Sequence, residues 1–157
     1  MKHITVGILA AAALLAVGHA GAADKWLNKR DAEELFAYID INNCPLSTEE
    51  VTENVHTMLV RSRIKPLSKW SSGDVVLYVV LDCTDDKADT WLFNQTVMLA
   101  KIKDEGGDGK TVSFRHDDQS QTFGKGGESF IRGNLEKAID ASFMQYLNAN
   151  FDLAPDD

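Results

Sequence analysis

At 157 residues, with 44% apolar and 25% charged residues, the chain carries enough apolar mass for one globular domain and is neither disordered nor multidomain in composition. Its 24 acidic residues against 16 basic ones give a formal net charge of −8, which disfavours phosphate backbones and anionic lipid surfaces as partners.

Residues 1–22 read as a secretory signal peptide. Lys2 and His3 open it, Ile4 to Val17 is an apolar run rich in Ala and Leu, and Gly18 to Ala23 offers small residues for a signal peptidase. Lys2 is the one formal charge in that stretch, so its removal takes the net charge from −8 to −9. No Cys lies near the cleavage point, so no lipid anchor is expected. Residues 23–157 are then expected to be a single secreted or periplasmic domain, exported by a bacterial Sec-type signal. No later apolar run approaches the ~20 residues that span a bilayer.

Leu35 to Ile41 alternates apolar and mixed residues at strand period. Leu46-Ser47-Thr48-Glu49-Glu50-Val51 carries a capping box, with Ser47 as N-cap and Glu50 three residues on, and Leu46 with Val51 at the staple positions. Val51, Val55, Met58 and Leu59 continue one apolar stripe, which predicts a helix over 48–61 ended before Pro66. Ile64 to Leu67 reads as a short edge strand because of Pro66, and Ser71 to Asp74 as a turn. Val75 to Cys83 is apolar at nearly every position, which predicts a central strand covered on both sides. Thr84 to Asp89 is an acidic loop. Thr90 to Lys103 reads as a long strand with a bulge near Asn94-Gln95. Asp104 to Lys110 is a Gly-rich hairpin turn. Thr111 to Arg115 and Gln121 to Gly124 read as strands, and Gly124 to Gly127 as a chain break. Phe130, Ile131, Leu135, Ala138, Ile139, Phe143 and Tyr146 mark a final helix over about 128–150. The expected fold is α+β: a two-layer sandwich, with an antiparallel sheet of about 4–6 strands and the two amphipathic helices packed on it.

Cys44 and Cys83 both survive cleavage. In an exported chain they are expected to pair, and because they are not C-x-x-C the bridge is expected to be structural.

No catalytic motif is complete. Gly109-Lys110-Thr111 lacks the earlier Gly and the following helix of a P-loop. Asp104-x-Gly106-x-Asp108 hints at a calcium loop, but its twelfth position holds Arg115 rather than a bidentate Glu. Asp85, Asp86 and Asp89 form a second acidic loop. The mature histidines are His56, on a helix flank, and His116, in a turn with Asp117 and Asp118. One His with flanking acids is more often a polar turn than a metal site, and no zinc set or G-x-S-x-G elbow is visible. Asp82 ends an apolar strand, where a carboxylate can have a raised pKa and a task, though such a residue more often simply meets solvent. His116, Asp117 and Asp82 are therefore the candidate site residues. The aromatics Trp70, Trp91, Phe93, Phe114 and Phe123 are expected in the core rather than around a ligand. No cofactor and no metal is implied.

The order of elements resembles the small α/β domains of periplasmic assembly factors, such as the TolB amino-terminal domain and the activators of penicillin-binding proteins. The likeness is architectural and implies no site residues. The expected function is a non-catalytic, protein-binding or envelope-assembly accessory domain with a periplasmic or secreted protein as partner. Alternatives are a small-molecule or lipid carrier, with its ligand between sheet and final helix, and a small periplasmic hydrolase using His116, Asp117 or Asp82.

Overall fold

The computed structural model describes Leu27 and residues 31–71, 74–87, 89–103, 111–113 and 120–151. Residues 1–22, read as a signal peptide, residues 104–110, read as a hairpin turn, and His116 and Asp117 lie outside the described residues.

Strand β1 spans Glu34–Asn42 and leads through a short turn to helix α1, Thr48–Arg61. The helix starts where local chemistry dictates: the Ser47 hydroxyl accepts from the Glu50 N–H at 3.1 Å, which satisfies one of the free donors of the first turn. The other half of the capping box is spent differently. The Glu50 carboxylate reaches Arg132 on the last helix, so the acid that would close the box ties two helices together. Val51, Val55 and Leu59 are buried as one stripe, and Leu46 is buried beside Val51 as a staple requires.

α1 ends in a Schellman arrangement. The Ile64 N–H bonds the Leu59 carbonyl at 2.8 Å, and the Arg63 N–H bonds the Val60 carbonyl at 3.0 Å. Arg63 occupies the left-handed position at φ 62° where glycine is usual, and buried Ile64 then drops into the core beside Leu59. Arg63→Gly is expected to stabilise the protein by about 0.5–1 kcal/mol, because the left-handed penalty exceeds the extra unfolded-state freedom of glycine. Urea unfolding of the two proteins checks this; an unchanged midpoint would show that Arg63 bears no such strain.

β2 is only Lys65–Pro66, followed by β3 (Val75–Asp85) and β4 (Trp91–Lys103). β5 (Thr111–Ser113) and β6 (Ser120–Gly126) precede α2, Glu128–Phe151. The order across the sheet is β2-β1-β3-β4, with β5 and β6 lying end to end along the far side of β4. The fold is therefore α+β, a five-lane sheet carrying two helices.

The sheet is mixed rather than wholly antiparallel. β1 runs parallel to β3 in the register Phe36↔Val76 to Asn42↔Asp82, and parallel to β2. The cause is α1, which returns the chain to the end where β1 began, so that β3 must run in the same direction. β3 and β4 pair antiparallel without interruption from Val75↔Lys101 to Asp85↔Trp91, so no bulge forms against β3 at Asn94-Gln95. On its other side β4 pairs antiparallel with β5 from Lys101↔Ser113 to Lys103↔Thr111 and with β6 from Trp91↔Gly126 to Val97↔Ser120.

β6 extends past the expected break at Gly124. A Cβ on Gly124 would stand 2.7 Å from the Phe93 ring, and one on Gly126 would collide with the Phe130 ring. These glycines let two aromatic rings reach the strand, and the rings meet edge-to-face at 6.1 Å.

Both helices lie on one face, where Leu35, Leu77, Val79, Leu81, Val97 and Leu99 from the strands share one core with Leu59, Leu135, Ile139, Phe143 and Tyr146. The coverage of β3 on both sides expected from its composition is thus helical on one side only. Leu27 is buried in the same core. No helix among the described residues is long and apolar enough to cross a membrane.

Candidate functional site

The Cys44–Cys83 disulfide is present, with Cα atoms 4.9 Å apart. It joins the turn before α1 to the end of β3 and leaves no free cysteine. Such a bridge fits an oxidising compartment.

Opposite the helices, the sheet presents the even-numbered residues of β1 and β3. Because these strands are parallel and in register, like positions share rows: Phe36 beside Val76, Tyr38 beside Tyr78, Asp40 beside Val80, Asn42 beside Asp82. β4 adds Ala100, Met98, Thr96 and Asn94 to those rows, and β6 adds Phe123 beside Asn94. At one end of the face Val76, Met98 and Ala100 are buried. Towards the other end the side chains emerge: Tyr38 is 41% exposed, Leu92 49% and Phe123 71%. Exposed large apolar side chains gathered on one sheet face are unusual in a monomer surface and mark a place where something docks.

Tyr38 and Tyr78 stack with ring centroids 5.2 Å apart and planes within 7°. Partial burial pushes the Tyr78 phenol up from its usual value, and the neighbouring Tyr38, Asp40 and Asp82 push it the same way. The potential around the pair is therefore negative. The other charges on this face are neutralised, Glu34 by Lys65 at 2.6 Å and Lys125 by Asp86. Asp40 and Asp82 have no cationic partner among the described residues. Asp82 accepts from the Asn42 amide at 3.1 Å and is exposed, meeting solvent at the strand end. Next to it the Asn94 carbonyl oxygen is buried without a hydrogen-bond partner among the described residues.

Concavities also lie away from this face, among them one of about 740 Å³ along the exposed side of α1 lined by Thr52, His56 and Val60. A groove of about 220 Å³ separates α1 from α2, floored by Leu46, Val51, Val55 and Ile139 and rimmed by Arg132 and Asp140. At the start of β1, Asp31, Glu33 and Glu34 open onto Phe151.

Among the sequence candidates, Asp82 lies on this sheet face, and His116 and Asp117 lie outside the described residues. His56 is exposed on α1, in the layer opposite the Asp82 face. No group of three or more His, Cys, Asp or Glu among the described residues is placed to hold a metal. Of the aromatics, Phe93 is buried as expected, Trp70 and Trp91 are half-buried, Phe123 stands out in solvent rather than in the core, and Phe114 lies outside the described residues. Tyr38 and Tyr78 were not singled out by sequence. The signal was the parity of β1, which puts Phe36, Tyr38 and Asp40 on one face, but reading it required the parallel register.

No protein-family model matches this chain, and no curated protein matches it significantly.

Proposed function

We propose that the chain is a non-catalytic, secreted or periplasmic domain that binds another protein through the open face of its sheet. The observation that carries this is the Tyr38–Tyr78–Phe123 face: aromatic, substantially exposed and, among the described residues, left without a covering element. Export rests on the signal peptide read from residues 1–22 and on the disulfide, which an oxidising compartment maintains. A folded domain with aromatic side chains standing out from a rigid sheet matches the composition of binding hot spots, where Tyr, Trp and Arg dominate.

The carrier reading has less support. The layer between sheet and α2 is filled by Phe93, Val97, Leu135, Ile139 and Phe143, and the apolar concavity lies between the helices instead.

A photo-crosslinking residue at Phe123 in the native envelope is expected to capture one protein reproducibly. The same residue at Met144, which is 49% exposed on α2, is expected to capture none. Equal or absent labelling from the two positions would refute the reading.

A further inference from the structure

We infer that the partner segment received by this face is cationic, an extended stretch of protein carrying Arg or Lys side chains. This rests on the protein-binding reading above and adds the chemistry of the partner.

The argument begins with charge. Asp40 and Asp82 both stand on this face, each without a cationic partner among the described residues. Asp40 is two residues from Tyr38 along β1, and Asp82 lies one row further, on β3. Diagonal neighbours on adjacent strands are ~7–8 Å apart, so the two acids flank a strip wide enough for one or two side-chain head groups. A half-buried and an exposed carboxylate side by side on a protein already at net −8 are a repulsive arrangement that a cation relieves.

The second element is aromatic. The stacked Tyr38–Tyr78 pair borders that strip on one side and exposed Phe123 on the other. A guanidinium lies flat on a tyrosine face while its N–H groups reach a carboxylate, a combination that neither an anionic nor an apolar segment can use. The strands also space these features regularly. Side chains two apart along an extended ligand recur at nearly the same interval as Tyr38, Asp40 and Asn42 along β1, so a cation set over Asp40 has its neighbours over Tyr38 and over the Asn42–Asp82 row.

The test titrates the disulfide-intact mature chain into three labelled ten-residue peptides, alternating Ser with Arg, Gln or Glu, and follows fluorescence anisotropy at low and high salt. The Arg peptide is expected to bind at least tenfold tighter than the Gln peptide, weakening with salt, and the Glu peptide not to bind. Asp40→Asn with Asp82→Asn, and separately Tyr38→Ala, are each expected to weaken the Arg peptide about tenfold. Glu49→Gln with Glu53→Gln, which removes the same two charges from the exposed side of α1, is expected to leave binding unchanged. Equal losses in the two charge variants would show attraction to net charge alone and overturn the inference, as would no preference for the Arg peptide. Self-association of the chain abolished by Phe123→Ser would also overturn it, since the occupant would then be a second copy. Capture from position 123 that is indifferent to Asp40→Asn/Asp82→Asn leaves protein binding standing and removes the cationic partner; no capture at all removes the underlying reading.

Discussion

Removing the Cys44–Cys83 bridge is expected to cost about 4 kcal/mol of stability and roughly 10–20 °C in Tm. The cross-link spans a sequence separation of 39 residues, and closing a loop of that size in the unfolded ensemble accounts for that figure. The native state gains a second benefit from where the bridge sits. Cys83 is buried next to Phe93 across the β3–β4 ladder, and Cys44 lies in the turn that aims α1 back along the sheet. Reduction therefore frees the unfolded chain and loosens the crossover that makes β1 and β3 parallel. Urea unfolding of the oxidised protein, of the reduced protein and of Cys44→Ala/Cys83→Ala measures the effect; alanine is chosen because serine would bury a hydroxyl at position 83. A loss below 1 kcal/mol would mean that the crossover holds its geometry without the bridge. Free thiols in protein isolated natively from the envelope would undercut the export reading as well.

Much of the fold was legible because its signals are local. The α1 boundaries follow from Ser47, Glu50 and a four-residue stripe, and the bridge follows from two cysteines in a chain whose first 22 residues read as a signal peptide. The parallel β1–β3 pairing was harder to see. Nothing in Leu35 to Ile41 distinguishes a strand paired with its sequence neighbour from one paired across a helix, because both read as alternation. The continuous apolar run of β3 suggested burial on both faces, and Val75, Val76 and Leu77 obey that. Tyr78, Val80, Asp82 and Thr84 then become progressively open on the even side. A run of apolar letters does not show that its second half faces an uncovered layer. Gly124 and Gly126 misled for a related reason: they serve the Phe93 and Phe130 rings, a tertiary demand, rather than a turn.

The candidate site was less legible than the fold. Asp82 was named from its place at the end of an apolar strand, and it proved to be a solvent-facing carboxylate held by Asn42. What gives it interest is company that only the register reveals: Tyr38 and Asp40, about 40 residues earlier in sequence, lie on the strand beside Tyr78 and Asp82. Catalytic motifs are legible where their residues are close in sequence, whereas this surface is assembled by a crossover. Glu50 teaches the same lesson. Sequence placed it in a capping box, but the packing of α2 recruited it to Arg132, which also holds Glu128 at 2.7 Å one turn earlier.

Tyr146→Ala is expected to destabilise the protein by about 3–5 kcal/mol, the range for deleting a buried aromatic side chain. Tyr146 is fully buried on α2, and its hydroxyl donates to the Ala32 carbonyl at 2.8 Å, with the Glu34 carbonyl 3.2 Å away. One turn on, the Asn150 amide bonds the carbonyls of Tyr146 and Leu27 at 2.9 and 3.1 Å. The end of the chain thus fastens the approach to β1, and a cavity there would loosen both. Since a domain's total stability is typically ~5–15 kcal/mol, this one substitution removes a large share of it. Tyr146→Phe separates the two contributions: it keeps the ring and orphans the carbonyls, costing about 1–2 kcal/mol. The phenylalanine variant also predicts a pH signature. Burial, with a smaller push from Asp74, raises the Tyr146 phenol well above its ordinary value of 10.0. Above pH 10 the unfolded chain therefore loses this proton while the folded protein keeps it, and stability falls as pH rises. Phenylalanine has no proton to lose, so its deficit at neutral pH is expected to shrink steadily above pH 10. Urea midpoints for both proteins from pH 7 to 11 measure the convergence, and parallel curves over that range would show that the phenol ionises in the folded protein as readily as in water.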